Sequence, residues 1–248
     1  TGNHFGYLTY ISNEDLRNHY IPTPGGKYQY YDSDAQKNDI SLFAKATLHL
    51  SDQWDAFADV QYRHVGFRTD GYNDKFVKDA DGMYQAQPLN VDVTYDFLNP
   101  KAGFAWHKDG HRAYVSYAMS SREPERNNFT DNGQSGAPRA ERLHDVEVGY
   151  SYDGKNWYAS VGAYYMGYKD QLVQTGELSD IGEALTTNIE DSYRMGLEVS
   201  AGYTPFKWLS LDVNGAFSRN RILSFDEHVS YDWDESFQVK HYDNSTLA

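Results

Sequence analysis

Between residues 39 and 50 the chain alternates with a period of two. Ile40, Leu42, Ala44, Ala46, Leu48 and Leu50 share one parity, and Ser41, Lys45, Thr47 and His49 share the other. Such alternation predicts a strand with one apolar and one polar face. At about eleven residues it is long enough for a tilted strand to cross a bilayer, roughly twice the length of a common soluble strand. The pattern returns over 54–64, where Trp54, Ala56, Ala58, Val60 and Tyr62 oppose Asp55, Asp59, Gln61 and Arg63. It returns as a pair over 142–152 and 157–168, and again over 193–203 and 209–217. The expected strands are 39–50, 54–65, 90–97, 101–108, 111–120, 142–152, 156–168, 191–204 and 207–221, with weaker candidates near 5–11 and 27–32.

The connections alternate too. Segments 51–53, 108–110, 153–156 and 204–207 are short and rich in Asp, Gly and Pro, as turns are. Segments 65–89, 120–141, 169–190 and 222–248 are long and polar, and read as loops too long for a compact soluble domain. Trp54, Trp106, Trp157 and Trp208 all sit beside the short turns, although Trp208 falls on the polar parity. Short turns at one end, long loops at the other and aromatics at strand ends are the features of an outer-membrane barrel. The fold class expected is therefore all-β: a sector of an antiparallel transmembrane β-barrel with long extracellular loops and short periplasmic turns. Trp54, Trp106, Trp157, Tyr62 and Tyr193 are its expected membrane girdle. An open sheet would leave unpaired edges in lipid, so the sheet either closes as a small barrel or belongs to a larger one.

Composition changes the picture in three places. Of 248 residues, 22 are Tyr, 12 Phe and 5 Trp, which suits two aromatic belts at a wet–oily boundary. A mean hydropathy of -0.76 would fit a soluble protein, but only alternate strand residues of a barrel face lipid. The formal charge of -14 opposes a nucleic-acid partner, which requires a basic field. No apolar run is long enough for a spanning helix, and the absence of cysteine removes thiol and disulfide chemistry. Thr1-Gly2-Asn3 does not open a signal peptide, so a mature or excised chain is expected.

Three segments resemble the barrel of TonB-dependent outer-membrane receptors. Phe97-Leu98-Asn99-Pro100-Lys101-Ala102-Gly103-Phe104 is similar to that family's entry into a barrel strand. Tyr114-Val115-Ser116-Tyr117 followed by Arg122-Glu123-Pro124 resembles its strand-to-loop passage. Glu141 through Tyr150, followed by Tyr165 through Leu172, resembles the next hairpin. Their order and spacing carry the likeness over most of 39–222. The resemblance implies a barrel of about twenty-two strands around an N-terminal plug. No stretch here reads as a plug, so the chain, residues 1–248, is expected to be a partial barrel domain.

The resemblance also orders the candidate sites. It places 120–141 at the extracellular rim, where Arg122, Glu123, Arg126 and Arg139 are candidates for binding anionic cargo. The competing reading is a loop whose charges pair among themselves. Tyr72, Tyr84, Tyr231 and Trp233 are candidates for stacking on cargo. Lys45, Arg63, Arg194 and Glu198 project from polar strand faces and are expected to face the lumen. His107, His111 and His144 share no metal-ligand spacing. The Asp70–Asp74 and Asp79–Gly82 clusters lack the terminal Glu of a calcium loop. No catalytic constellation and no cofactor site emerges, and an enzyme is not expected.

The resemblance implies active import of a scarce solute across the outer membrane. Iron–siderophore, haem or cobalamin is favoured over oligosaccharide. The implied partners are outer-membrane lipid, the cargo, a TonB-type energy-coupling complex acting through the plug, and in some systems a surface lipoprotein. The alternatives are a small complete outer-membrane barrel acting as porin or adhesin, or a soluble aromatic-rich β-sandwich that binds carbohydrate.

Overall fold

The strand pattern read from the sequence has a three-dimensional counterpart, but the strands run well past their apolar segments. A computed structural model describes residues 2–10, 14, 25–78, 84–130, 137–178, 184–230 and 237–245. Its strands are β1 (Gly2–Leu8), β2 (Tyr28–Ser51), β3 (Trp54–Lys78), β4 (Tyr84–Lys108), β5 (His111–Arg122), β6 (Glu141–Asp153), β7 (Trp157–Leu178), β8 (Ala184–Phe206), β9 (Leu209–Ser230) and β10 (Phe237–Ser245). A short helix, α1 (Arg126–Thr130), lies between β5 and β6. All ten strands form one sheet in chain order, every neighbouring pair antiparallel. Among the described residues no pairing joins β1 to β10, so the sheet is open.

Two expectations need correction. The separate strands at 90–97 and 101–108 are one strand, β4, which passes straight through Pro100 opposite Val60. Proline is tolerated there because the β4–β5 ladder ends at the next residue, Lys101 opposite Ala118, so no donor is needed on that side. The second correction concerns loops. Residues 65–78, 84–89, 169–178, 184–190 and 222–230 are strand, paired for example from Val65 opposite Tyr95 to Tyr72 opposite Pro88. They carry polar residues on both faces, so no alternation betrays them.

The apolar parity forms a continuous surface. Leu48, Ala56, Phe104, Val115, Val148, Ala163, Leu197 and Phe217 are cross-strand neighbours in one row from β2 to β9. This face is open: Leu42, Val148 and Val213 are 66%, 51% and 66% exposed. A sheet in water covers such a face with a second layer; among the described residues none covers it. On the polar face the registers align Lys45, Asp59, Lys101, Ala118, Asp145, Met166, Arg194 and Asn220.

Local chemistry fixes the short turns and the spacing of strands. Asp109 and Gly110 have φ of 49° and 84°, the doubly left-handed pair that suits a two-residue hairpin. On the polar face Tyr114 lies across its partner Gly149, where a Cβ would stand 2.2 Å from the ring. Tyr164 over Gly196 and Tyr158 over Gly202 repeat the arrangement. The ring covers backbone that the glycine leaves bare.

Candidate functional site

After Arg122 the chain leaves the sheet, and Glu123–Thr130 folds back as a strap over the polar face. Pro124 favours the departure, since a proline donates nothing to a ladder. Glu125 and Asn128 close the first turn of α1: the Glu125 N–H donates to Asn128 Oδ1 at 2.6 Å, and the Asn128 N–H to the Glu125 carbonyl at 3.0 Å. The strap is held on both sides. Asn128 Nδ2 donates to Thr186 Oγ1 of β8 at 2.7 Å, and the next ring, Phe129, stacks on Phe67 of β3 with centroids 5.5 Å apart. Arg126 Nη2 donates to Ser33 Oγ of β2 at 2.9 Å.

This bracing reveals the curvature of the sheet. In a flat sheet β3 and β8 would lie about 24 Å apart, five spacings of about 4.8 Å. Consecutive residues, about 3.8 Å apart at Cα, touch both. The sheet therefore curls with its polar face concave, as a barrel wall does. Val65, Phe67 and Thr69 on that face are buried, so the small core of the molecule lies at the extended strand ends around the strap.

The strap's anchor is electrostatic. Glu123 accepts from Arg63 Nη1 at 2.7 Å, Arg63 Nη2 at 2.9 Å and Lys37 Nζ at 2.7 Å. Arg63 also donates through Nε and Nη2 to Asp39, at 3.1 and 2.5 Å. The Glu123 side chain is only 7% exposed. Burial acts to raise the Glu123 carboxyl, but hydrogen bonds from Lys37, its own backbone N–H and Arg63 outweigh it and hold the pKa below the ordinary value.

The sites proposed from sequence fall into distinct environments. Arg122 pairs with Glu141 across the β5–β6 ladder at 3.2 Å. Arg139 binds Asp170 at 2.6 Å, while Asn188 ties the Arg139 backbone to β7. These rim charges are thus engaged with neighbours. Tyr72 and Tyr84 lie in strands β3 and β4 rather than in loops, because the polar strand extensions carry them. Tyr72 is half-buried, and burial, helped by Asp32, pushes its hydroxyl pKa up. Trp233, Tyr231 and the Asp79–Gly82 cluster lie outside the described residues. Lys45, Arg63, Arg194 and Glu198 share the concave polar face, where the Arg194 guanidinium sits 5.3 Å from the Tyr168 ring centre. Lys37, Asp39, Asn128 and Phe129 were missed. Lys37 and Asp39 continue the odd parity of Lys45, a signal that was readable; the strap contacts had none.

The aromatic positions form two levels on the convex face. At the short turns Trp54 and Trp106 are direct cross-strand partners, and Trp157 pairs with Tyr203. His111 and Tyr152 stand 4.5 Å apart, Tyr152 and Trp157 4.6 Å. Trp208 lies in the β8–β9 turn, stacked on Phe206 at 5.5 Å. At the second level Tyr62 donates to Asp96 at 2.6 Å, the Tyr117 hydroxyl meets His144 Nδ1 at 2.7 Å, and Tyr165 stacks on Tyr193. Trp54 and Tyr62 lie eight residues apart, about 26 Å along a strand. With the strands of a barrel tilted by about 40°, that is a height of about 20 Å, somewhat less than the apolar band of about 25 Å around outer-membrane barrels. His111 and His144 belong to these layers, with His111 Nδ1 at 2.6 Å from the Tyr150 hydroxyl, whereas His107 is on the concave face with its Nδ1 at 3.6 Å from Asp55.

An open, curled, girdled sheet with a polar concave face narrows the choice of family, and comparison decides it. The profile described as "TonB dependent receptor-like, beta-barrel" matches residues 1–246. The chain belongs to this family. Its fold is similar to that of the copper transporter OprC, with a TM-score of 0.64 and 16% identity over 76% of this chain and 30% of that one. It is similar to the siderophore receptor PiuA from Acinetobacter baumannii (TM-score 0.58, 12% identity, 86% of this chain and 29% of that one). It is also similar to the FrpB iron transporter from Neisseria meningitidis, F3-3 variant (0.55, 19%, 84% and 28%). No curated protein matches in sequence. The chain thus spans about three-tenths of these TonB-dependent receptors. The family is one of transport receptors, not of enzymes.

Proposed function

We propose that the chain is the barrel wall of an outer-membrane receptor that imports a scarce metal-bearing solute. An iron–siderophore, haem or cobalamin is favoured over an oligosaccharide. The reading rests first on the apolar row from β2 to β9 between two aromatic levels, which suits lipid and little else. The cargo class is supported by the similar structures, which are described as a copper transporter, an iron transporter and a siderophore receptor.

On this reading the short turns face the periplasm and the strap end faces outward. The concave row of Lys45, Arg63, Arg194 and Glu198 lines the passage. Arg122, Glu123 and Arg139 hold the wall through ion pairs, and Arg126 and Trp233 contact cargo, while Tyr72 shares the convex parity of Asp70 and lies away from the passage. A TonB-type complex acts through a plug to release it, and a surface lipoprotein assists capture in some settings. Uptake of radiolabelled iron–siderophore, haem or cobalamin by cells with and without the full-length receptor gene tests this. Loss of energised uptake for one of them, abolished also by removing the energy-coupling complex, is expected. Unchanged uptake of all three, or recovery of the receptor outside the outer membrane, would overturn it.

A further inference from the structure

Close to the short turns the concave face carries a row of small polar residues. Arg112, Ser151, Ser160, Ser200 and Asn214 are cross-strand neighbours in one line from β5 to β9. The row beside it, toward the strap, runs Tyr114, Gly149, Gly162, Glu198 and Ala216. Together they line an open trough of about 620 Å³. Ser160 Oγ and Ser200 Oγ share a hydrogen bond of 2.7 Å across its floor. Among the described residues Arg112 makes no ion pair, and it is exposed.

Gly162 gives the trough a purpose. A glycine inside a strand weakens it, and marks a bulge, a bend or the close approach of a ligand or another backbone. From β4 to β9 the other concave-face glycines, Gly103, Gly149, Gly196 and Gly202, each lie under an aromatic ring. Gly162 lies under none. It pairs in register with Gly149 and Glu198, without a bulge, and a Cβ there would meet nothing nearer than the Val148 carbonyl oxygen at 3.9 Å. The wall has room for a side chain at this position, so the remaining reason to leave it bare is approach from the passage. The lining selects the chemistry of what approaches. An unpaired guanidinium beside a line of hydroxyls suits an anionic oxygen, held bidentately. Glu198 adds an acceptor on the far side for an N–H or O–H of the same ligand. Arg112 and Ser200 stand three strands apart, about 14 Å, so the trough takes a ligand larger than a free ion.

We propose that this trough is a transit subsite near the periplasmic end of the passage, which takes the cargo by an acidic oxygen group on Arg112 and the serine row after the cargo has left the outer rim. The proposal rests on the transport reading above and narrows its cargo to solutes that carry such a group. The test uses cells with the full-length receptor and whichever of radiolabelled iron–siderophore, haemin and cyanocobalamin they import. Surface binding is read in cells de-energised with an uncoupler, and the maximal uptake rate in energised cells. Arg112→Gln should leave the surface Kd unchanged and cut the maximal rate by about tenfold, the worth of one charge-assisted contact. Gly162→Leu, which the free space accommodates, should do the same by filling the trough. Arg112→Lys should keep most of the rate, and Val213→Ile, on the convex face, all of it. Esterifying the cargo's acidic group should slow the wild type and slow Arg112→Gln no further, which separates a cargo contact from a change in the wall. Unchanged rates in Arg112→Gln and Gly162→Leu, or losses of surface binding as large as the losses of rate, would overturn the subsite while leaving the transport reading intact. Import of none of the three solutes would remove the transport reading, and the subsite with it.

Discussion

Arg63 and Glu123, sixty residues apart in sequence, meet through two parallel hydrogen bonds of 2.7 and 2.9 Å. One sits on β3 and the other opens the strap after β5, so the pair pins a crossing segment to the barrel wall. Lys37 adds a third bond to the same carboxylate. Removing one member of a buried pair strands its partner and costs about 3–5 kcal/mol. Here Arg63 keeps Asp39 and Lys37 is half-exposed, which lowers the expected cost. Glu123→Gln should destabilise the folded receptor by about 2 kcal/mol. Urea unfolding in detergent micelles checks this, and a midpoint equal to wild type would show that the clasp is decorative.

The same carboxylate makes a pH prediction. Its folded pKa is depressed below the ordinary 4.5. A depressed carboxylate stabilises the fold fully above the unfolded pKa and loses that contribution as pH falls through the folded value. Wild-type stability should therefore drop more steeply below pH 4.5 than that of Glu123→Gln. Parallel unfolding midpoints for the two proteins across this window would contradict the assignment.

What was legible in the sequence follows the apolar face. Ile40 to Leu50 and Trp54 to Tyr62 alternate because one face of the sheet is apolar and the other polar, so their strands and turns can be read directly. From Val65 to Lys78 both faces are wet, or covered by the strap, and the alternation ends while the ladder continues. The break expected between 97 and 101 is absent because the missing N–H of Pro100 falls where no neighbour needs it. Arg63 and Glu123 were each visible as charges, one on a strand and one in a loop. Their meeting depends on the curl of the sheet, which no local pattern encodes.

Tyr114 and Gly149 offer a packing test. A methyl group at position 149 would stand 2.2 Å from the Tyr114 ring, so the ring must leave or the strands must part. Overpacking of this kind costs about 1–3 kcal/mol. Gly149→Ala should lower the yield of heat-modifiable, folded barrel, and adding Tyr114→Ala should recover part of it. A double variant no better folded than the single one would mean that the ring is not what the glycine accommodates.

The two faces of β6 can be separated by neighbouring residues. Val148 is on the convex apolar row, and Glu147 beside it is on the concave polar face near Asp145. A charge on the lipid side of a barrel at mid-depth costs about 2–4 kcal/mol, whereas a lumenal substitution is mild. Val148→Arg should therefore cut stability and outer-membrane assembly severely. Glu147→Arg exchanges an acid for a base next to another acid, removes a like-charge repulsion and should be tolerated. Unfolding of both variants in bilayers, scored against wild type, reads the difference. A larger loss from Glu147→Arg would reverse the faces, place the girdle residues inside the passage and remove the physical basis for membrane residence.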